Sequence, residues 1–104
     1  MRLAFKMKLN QGNEEEYKKR HNPIWKELED ILKKQGVLTY SIFLDKETNL
    51  LFGYAEIEDL KKWEAVADTM ICREWWDYMA PLMEVNDDNS PVSKELVEVF
   101  HIEK

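Results

Sequence analysis

Only two histidines occur in this 104-residue chain, and one of them, His21, sits at the centre of the run Tyr17-Lys18-Lys19-Arg20-His21-Asn22-Pro23-Ile24-Trp25. An imidazole titrates near neutrality, so it can both give and accept a proton at little cost. Tyr17 lies four residues before it and Trp25 four residues after it. On a continuous helix that spacing puts all three on one face. Pro23 interrupts such a helix, because it has no amide hydrogen and its ring collides with the preceding turn. The helix is expected to kink or restart there, with Asn22 as the cap and Pro23 at the first position. Tyr17 and His21 share a face in either case. From spacing alone the cluster reads as a proton-transfer pocket or as an aromatic edge of the core, and both readings stand at this point.

Other side chains could join it. Tyr40 alternates with Leu38 and Ile42, so its phenol faces either the core or a site. Of the four tryptophans, Trp63 reads as core. Trp75 and Trp76 are adjacent and diverge by about 100° around a helix, so one is expected to face the sheet and the other a pocket wall. A flat indole offers an apolar platform to the C–H face of a sugar.

Competing chemistries find little support. The three glycines, Gly12, Gly36 and Gly53, form no phosphate-cradling loop. Two isolated histidines make no metal motif. The one cysteine, Cys72, allows no disulfide within the chain and reads as an inert core thiol. His101 reads as structural, and Lys18-Lys19-Arg20 as a solvated face. The net charge of −6 argues against a nucleic-acid binder, whose affinity rests on basic surface. Neither a signal peptide nor an apolar run of membrane-spanning length is present, so a cytoplasmic location is expected.

The elements that must position these groups follow from periodicity. Residues 2–9 alternate, with Leu3, Phe5, Met7 and Leu9 on one face of a strand. Asn13 is placed to cap a helix that runs through Tyr17 to about His21, with Glu14, Glu15 and Glu16 at its positive end. Beyond Pro23, Ile24, Trp25, Leu28, Ile31 and Leu32 form a helical stripe that Gly36 stops. Residues 38–44 read as a second strand with Leu38, Tyr40, Ile42 and Leu44 on one face. Residues 50–57 read as a third, central strand in which Gly53 marks close approach by another group. Asp59 can cap the next helix, and Asp68 or Thr69 a further one, which carries Trp75 and Trp76 and ends at Pro81. A loop over Asn86–Pro91 is long enough to fold over a site, and Glu95–Ile102 reads as the last strand. Strand, helix, strand, strand, helix, strand in one domain of 104 residues is the ferredoxin-like split βαβ pattern, an α+β fold with helices on one face of an antiparallel sheet. The other face would be bare in a monomer, and two such sheets packed face to face would cover it.

Four segments together resemble the L-rhamnose mutarotase family: the run Tyr17–Trp25, the strand Tyr40–Asp45, Arg73–Met79 with its paired tryptophans, and Asn89–Ser93. The resemblance spans essentially the whole chain, with Asp87 departing where relatives tend to carry proline. It implies a dimeric α+β barrel that binds L-rhamnose as a homodimer, with neither nucleic acid nor membrane as a partner. His21 would then be the proton donor, and Tyr17, Tyr40, Trp75 and Trp76 would contact the sugar. The implied reaction interconverts the α and β anomers of a pyranose by opening the ring to the aldehyde and reclosing it. It needs no metal and no cofactor. The group that takes the anomeric proton stays open among a tyrosine, a water and an acidic residue. A cofactor-independent monooxygenase of the same fold class and a non-catalytic dimerisation or ligand-binding module are the alternatives.

Overall fold

The computed structural model describes all residues, Met1–Lys104. Its first strand, β1 (Arg2–Lys8), is followed by two short helices, α1 (Glu14–Arg20) and α2 (Lys26–Lys34). A hairpin of β2 (Val37–Asp45) and β3 (Leu50–Ile57) leads to α3 (Leu60–Ala65), α4 (Met70–Met79) and a short β4 (Lys94–Leu96). The four strands form one sheet in the order β2-β3-β1-β4, and every neighbouring pair is antiparallel. This is the ferredoxin-like α+β arrangement expected from the element order.

Register explains which side chains reach the helices. Phe5 pairs with Gly53, Met7 with Leu51 and Tyr40 with Ala55. Along β3 burial alternates, so that Leu51, Gly53, Ala55 and Ile57 face the helices. Met7, Leu9 and Leu51 meet Leu28, Cys72, Trp75, Met79 and Leu82 in one core. Gly53 is needed where it stands. A Cβ there would lie 2.4 Å from the Phe5 ring, so the ring fills the space that a side chain would take.

Helix ends follow local chemistry in part. Asp59 caps α3 by accepting from the Lys62 amide, and Thr69 caps α4 by accepting from Cys72. Gly36 closes α2 with a positive φ of 88°, a conformation that costs glycine nothing. Asn13 differs from expectation. Its side chain makes no cap bond, because its backbone is near-helical (φ −104°, ψ 11°) and does not aim the amide at the first turn.

Three further expectations are corrected. α2 starts at Lys26 with Trp25 at its cap position, not at Pro23. Asn22 instead donates its side-chain amide to the Lys18 carbonyl, finishing α1. Packing of Trp25 against Trp75 and Tyr78 dictates the path of residues 22–25 over their capping preference. Leu38 does not share the Tyr40 face. It sits at a bulge where the register shifts between Val37 and Thr39, and it is 67% exposed. The last strand stops at Leu96 and does not reach Ile102. With Leu96 opposite Ala4, only three residues of the chain precede the last pair on the β1 side, too few to pair a strand as far as Ile102. Val97, Val99, Phe100 and Ile102 are left exposed.

Opposite the helices, the sheet presents Phe52, Tyr54, Phe43 and Leu96, with Phe43 65% exposed. No helix of the structure is long and apolar enough to cross a membrane.

Candidate active site

His21 follows directly on α1, and the last turn of that helix is closed by the His21 amide donating to the Lys18 carbonyl and the Asn22 amide donating to the Lys19 carbonyl. One turn separates it from Tyr17, so its ring folds back over the Tyr17 ring with centroids 4.4 Å apart. Nδ1 lies 2.9 Å from the Tyr17 carbonyl oxygen. A carbonyl oxygen can only accept, so Nδ1 carries the hydrogen. This sets the tautomer and leaves Nε2 as the nitrogen available to a substrate. α4 supplies the wall. Trp75, only 8% exposed, meets the His21 ring edge-on at 5.2 Å and 89°. Burial disfavours the imidazolium and pulls the His21 pKa below its ordinary 6.5, opposed by the bond to the Tyr17 carbonyl.

The phenols stand next to this corner. Burial pushes the Tyr17 and Tyr40 hydroxyls well above the usual phenol range. Tyr17 and Cys72 both add to the rise at Tyr40, which places the three groups within electrostatic reach. Tyr40 is held edge-on by Trp63 at 5.5 Å and by Phe5 at 6.2 Å. No side-chain nitrogen or oxygen in the chain is both enclosed and unpartnered. The Cys72 thiol is buried and pushed up to about 11, so it stays protonated and inert at neutral pH, as expected.

Trp76 lies further round α4. It packs on the edge of the core, under the Arg73 guanidinium, whose Cζ is 4.9 Å from the indole centroid. Thus His21 touches both Tyr17 and Trp75, Tyr40 lies within electrostatic reach of Tyr17, and Trp76 takes the neighbouring side of the helix. His101 sits far down the chain, with Nε2 3.4 Å from Glu103.

Several supporting residues take parts that the sequence reading did not assign them. Arg20 is not part of a solvated face. It donates to Glu16 at 2.7 Å and to the Tyr78 carbonyl, and its guanidinium lies 4.2 Å over the Tyr78 ring. Tyr78 in turn stacks on Trp25, which abuts Trp75 edge-on at 5.0 Å. Tyr78 falls one turn after Trp75, so helical spacing alone could have marked it. Trp63 is half-buried against Tyr40 and Phe5, and no local pattern announces that set. Two surface hollows elsewhere, one along Val85–Ser90 and one between Glu27 and Glu74, contain none of these residues. Chemistry singles out the His21 corner.

The arrangement is a shielded imidazole, chemically able to give and take a proton, with aromatic walls and hydroxyls nearby. Its likeness to known proteins is close. The family model for L-rhamnose mutarotase matches residues 2–102. L-rhamnose mutarotase of Lachnoclostridium phytofermentans is 52% identical over 103 residues, covering 99% of each chain. The crystal structure of an L-rhamnose mutarotase from Formosa agariphila superposes with a TM-score of 0.91 at 50% identity, covering 99% of both chains. A dimeric ferredoxin-like protein from an uncultured marine organism shares the fold alone, with a TM-score of 0.66 at 14% identity over 99% of this chain and 98% of the other. A match over nearly every residue, at half identity and with one backbone, leaves one conclusion: the chain belongs to the L-rhamnose mutarotase family.

Proposed function

We propose that this protein interconverts the α and β anomers of L-rhamnopyranose by acid–base ring opening and reclosure, with His21 as the proton donor. The observation that carries the role of His21 is its geometry: Nδ1 is tied to the Tyr17 carbonyl, and the ring is wedged between Tyr17 and Trp75. The imidazolium delivers a proton from Nε2 to the ring oxygen as the bond to the anomeric carbon breaks. The anomeric hydroxyl passes its proton to a partner base, a water or an acidic residue, and the aldehyde forms. Rotation about the bond to that carbon presents the other carbonyl face, and the reverse transfers close the ring. Tyr17, Tyr40, Trp75 and Trp76 contact the sugar. With pKa values raised by burial, the phenols stay neutral and hold hydroxyls by hydrogen bonds. No redox step enters, so the chemistry calls for no cofactor. Family membership favours this reading over a monooxygenase or a silent binding module. A cytoplasmic location accords with a single buried, unpaired thiol.

Saturation-difference NMR on L-rhamnose, with and without protein, tests the activity directly. Absence of acceleration disposes of it. The pH profile tests the donor. A group that must be protonated to act, and whose pKa lies below 6.5, makes kcat/KM fall as pH rises through that pKa. A profile flat from mildly acidic to neutral pH removes His21 as the acid.

The active form in this reading is a homodimer with the two sheets face to face. The apolar face formed by Phe43, Phe52, Tyr54 and Leu96, beside the exposed tail from Val97, supports it. Phe43→Asp is expected to shift the sedimenting species to a monomer by burying a charge at that face. A wild-type protein that already sediments as a monomer at micromolar concentration counts against the dimer.

A further inference from the structure

We infer that Arg73 is a positioning residue that fixes the Trp76 indole and ties the loop 86–91 beside it. The inference rests on the reading that Trp76 contacts the sugar, and it adds which groups set that ring's place. Arg73 makes three attachments to three parts of the chain. Its Nε donates to the Ala67 carbonyl at 2.8 Å, in the turn between α3 and α4. Its guanidinium nitrogen reaches the Asp88 carboxylate at 3.1 Å, in the loop. Its Cζ lies 4.9 Å from the Trp76 centroid.

The planar guanidinium suits this task. It directs N–H groups within its plane while offering that plane to an aromatic ring, which an ammonium does not do. With cation and indole in contact, the guanidinium shields one side of Trp76 and leaves the rest of the half-buried ring to a ligand.

The loop is built to hold its side of the contact. Asp88 accepts from the Ser90 amide at 2.9 Å and from the Ser90 hydroxyl. Asn86 donates to the Ser90 hydroxyl at 3.0 Å. A second tie runs from the Asn89 side chain to Asp77 at 3.0 Å, so Trp76 is flanked in sequence and space by both anchors of the loop. Arg73 and Asp88 are solvent-exposed, and exposed pairs contribute little to stability. Their replacement therefore perturbs the site without unfolding the protein.

Steady-state anomer exchange of Arg73→Gln, Arg73→Lys and Trp76→Ala, with the indole N–H resonances of each variant that retains Trp76, tests the inference. Arg73→Gln is expected to raise KM about two- to fivefold, the size an exposed cation–π contact carries, with a smaller change in kcat. It is also expected to move the Trp76 indole resonance while those of Trp25, Trp63 and Trp75 stay in place. Arg73→Lys restores the charge without the planar fork and is expected to rescue KM only in part. Full rescue by lysine overturns the part assigned to the planar group. An unchanged Trp76 resonance and unchanged KM in Arg73→Gln overturn the inference as a whole. Trp76→Ala separates this failure from that of the underlying reading: an unchanged KM there removes the sugar contact itself, whereas a raised KM beside a wild-type Arg73→Gln removes only the role of Arg73.

Discussion

His21→Ala is expected to lower protein-dependent exchange of the L-rhamnose anomers by about 10²–10⁴-fold, the range that one positioned acid–base group contributes. The fold should survive. His21 lies just past the end of α1, half-buried, and its loss removes one side-chain bond to a backbone carbonyl. The thermal midpoint and the sheet signal in circular dichroism check that the variant is folded before its rate is read. His21→Gln sharpens the result, since an amide can keep the bond to the Tyr17 carbonyl but cannot shuttle a proton near neutral pH. Equal loss in both variants assigns the effect to proton transfer. Near-wild-type exchange in a folded His21→Ala protein would withdraw the donor role while leaving the mutarotase reading intact.

Gly53→Ala is expected to destabilise the protein by about 1–3 kcal/mol, the usual cost of overpacking a filled core. In a domain of this size that lowers Tm by about 5–20 °C. The added Cβ would meet the Phe5 ring at 2.4 Å, and the ring has little room to yield, because Tyr40 and Trp63 press on it. Its displacement pushes on Tyr40, so the variant should also lose affinity for sugar. Thermal denaturation and KM measured on one preparation test both effects. Phe5→Leu gives the decisive comparison. If the clash is the cause, the double variant is less destabilised than the sum of the singles, as contacting residues are coupled. Strict additivity would place the damage elsewhere.

That pair also shows what local pattern conveys. The sequence marks Gly53 as a place of close approach, since a glycine in an otherwise bulky strand leaves a gap on one face. It does not say what fills the gap. Phe5 arrives there through antiparallel pairing of β1 with β3, and Trp63 through the turn of α3 onto the same face. The same division runs through the site. Tyr17 and His21 are one helical turn apart, so their contact is legible by counting. Trp75 reaches His21 only because α4 packs against α2 and the connection that leads into α2 from α1, and nothing in residues 69–80 states that.

The order of strands and helices, the single candidate imidazole, the paired indoles, the cap at Asp59 and a second cap at Asp68 or Thr69 were all legible in the sequence. These depend on periodicity, on proline and glycine, and on side chains acting within a turn of themselves, all local properties. Tertiary structure alone decided that Trp75 and not Trp76 abuts His21, that Arg20 leaves solvent to lie on Tyr78, that α2 waits until Lys26, and that the last strand stops at Leu96. Each of those outcomes is set by a partner distant along the chain, whose packing outweighs the modest preference of the local segment.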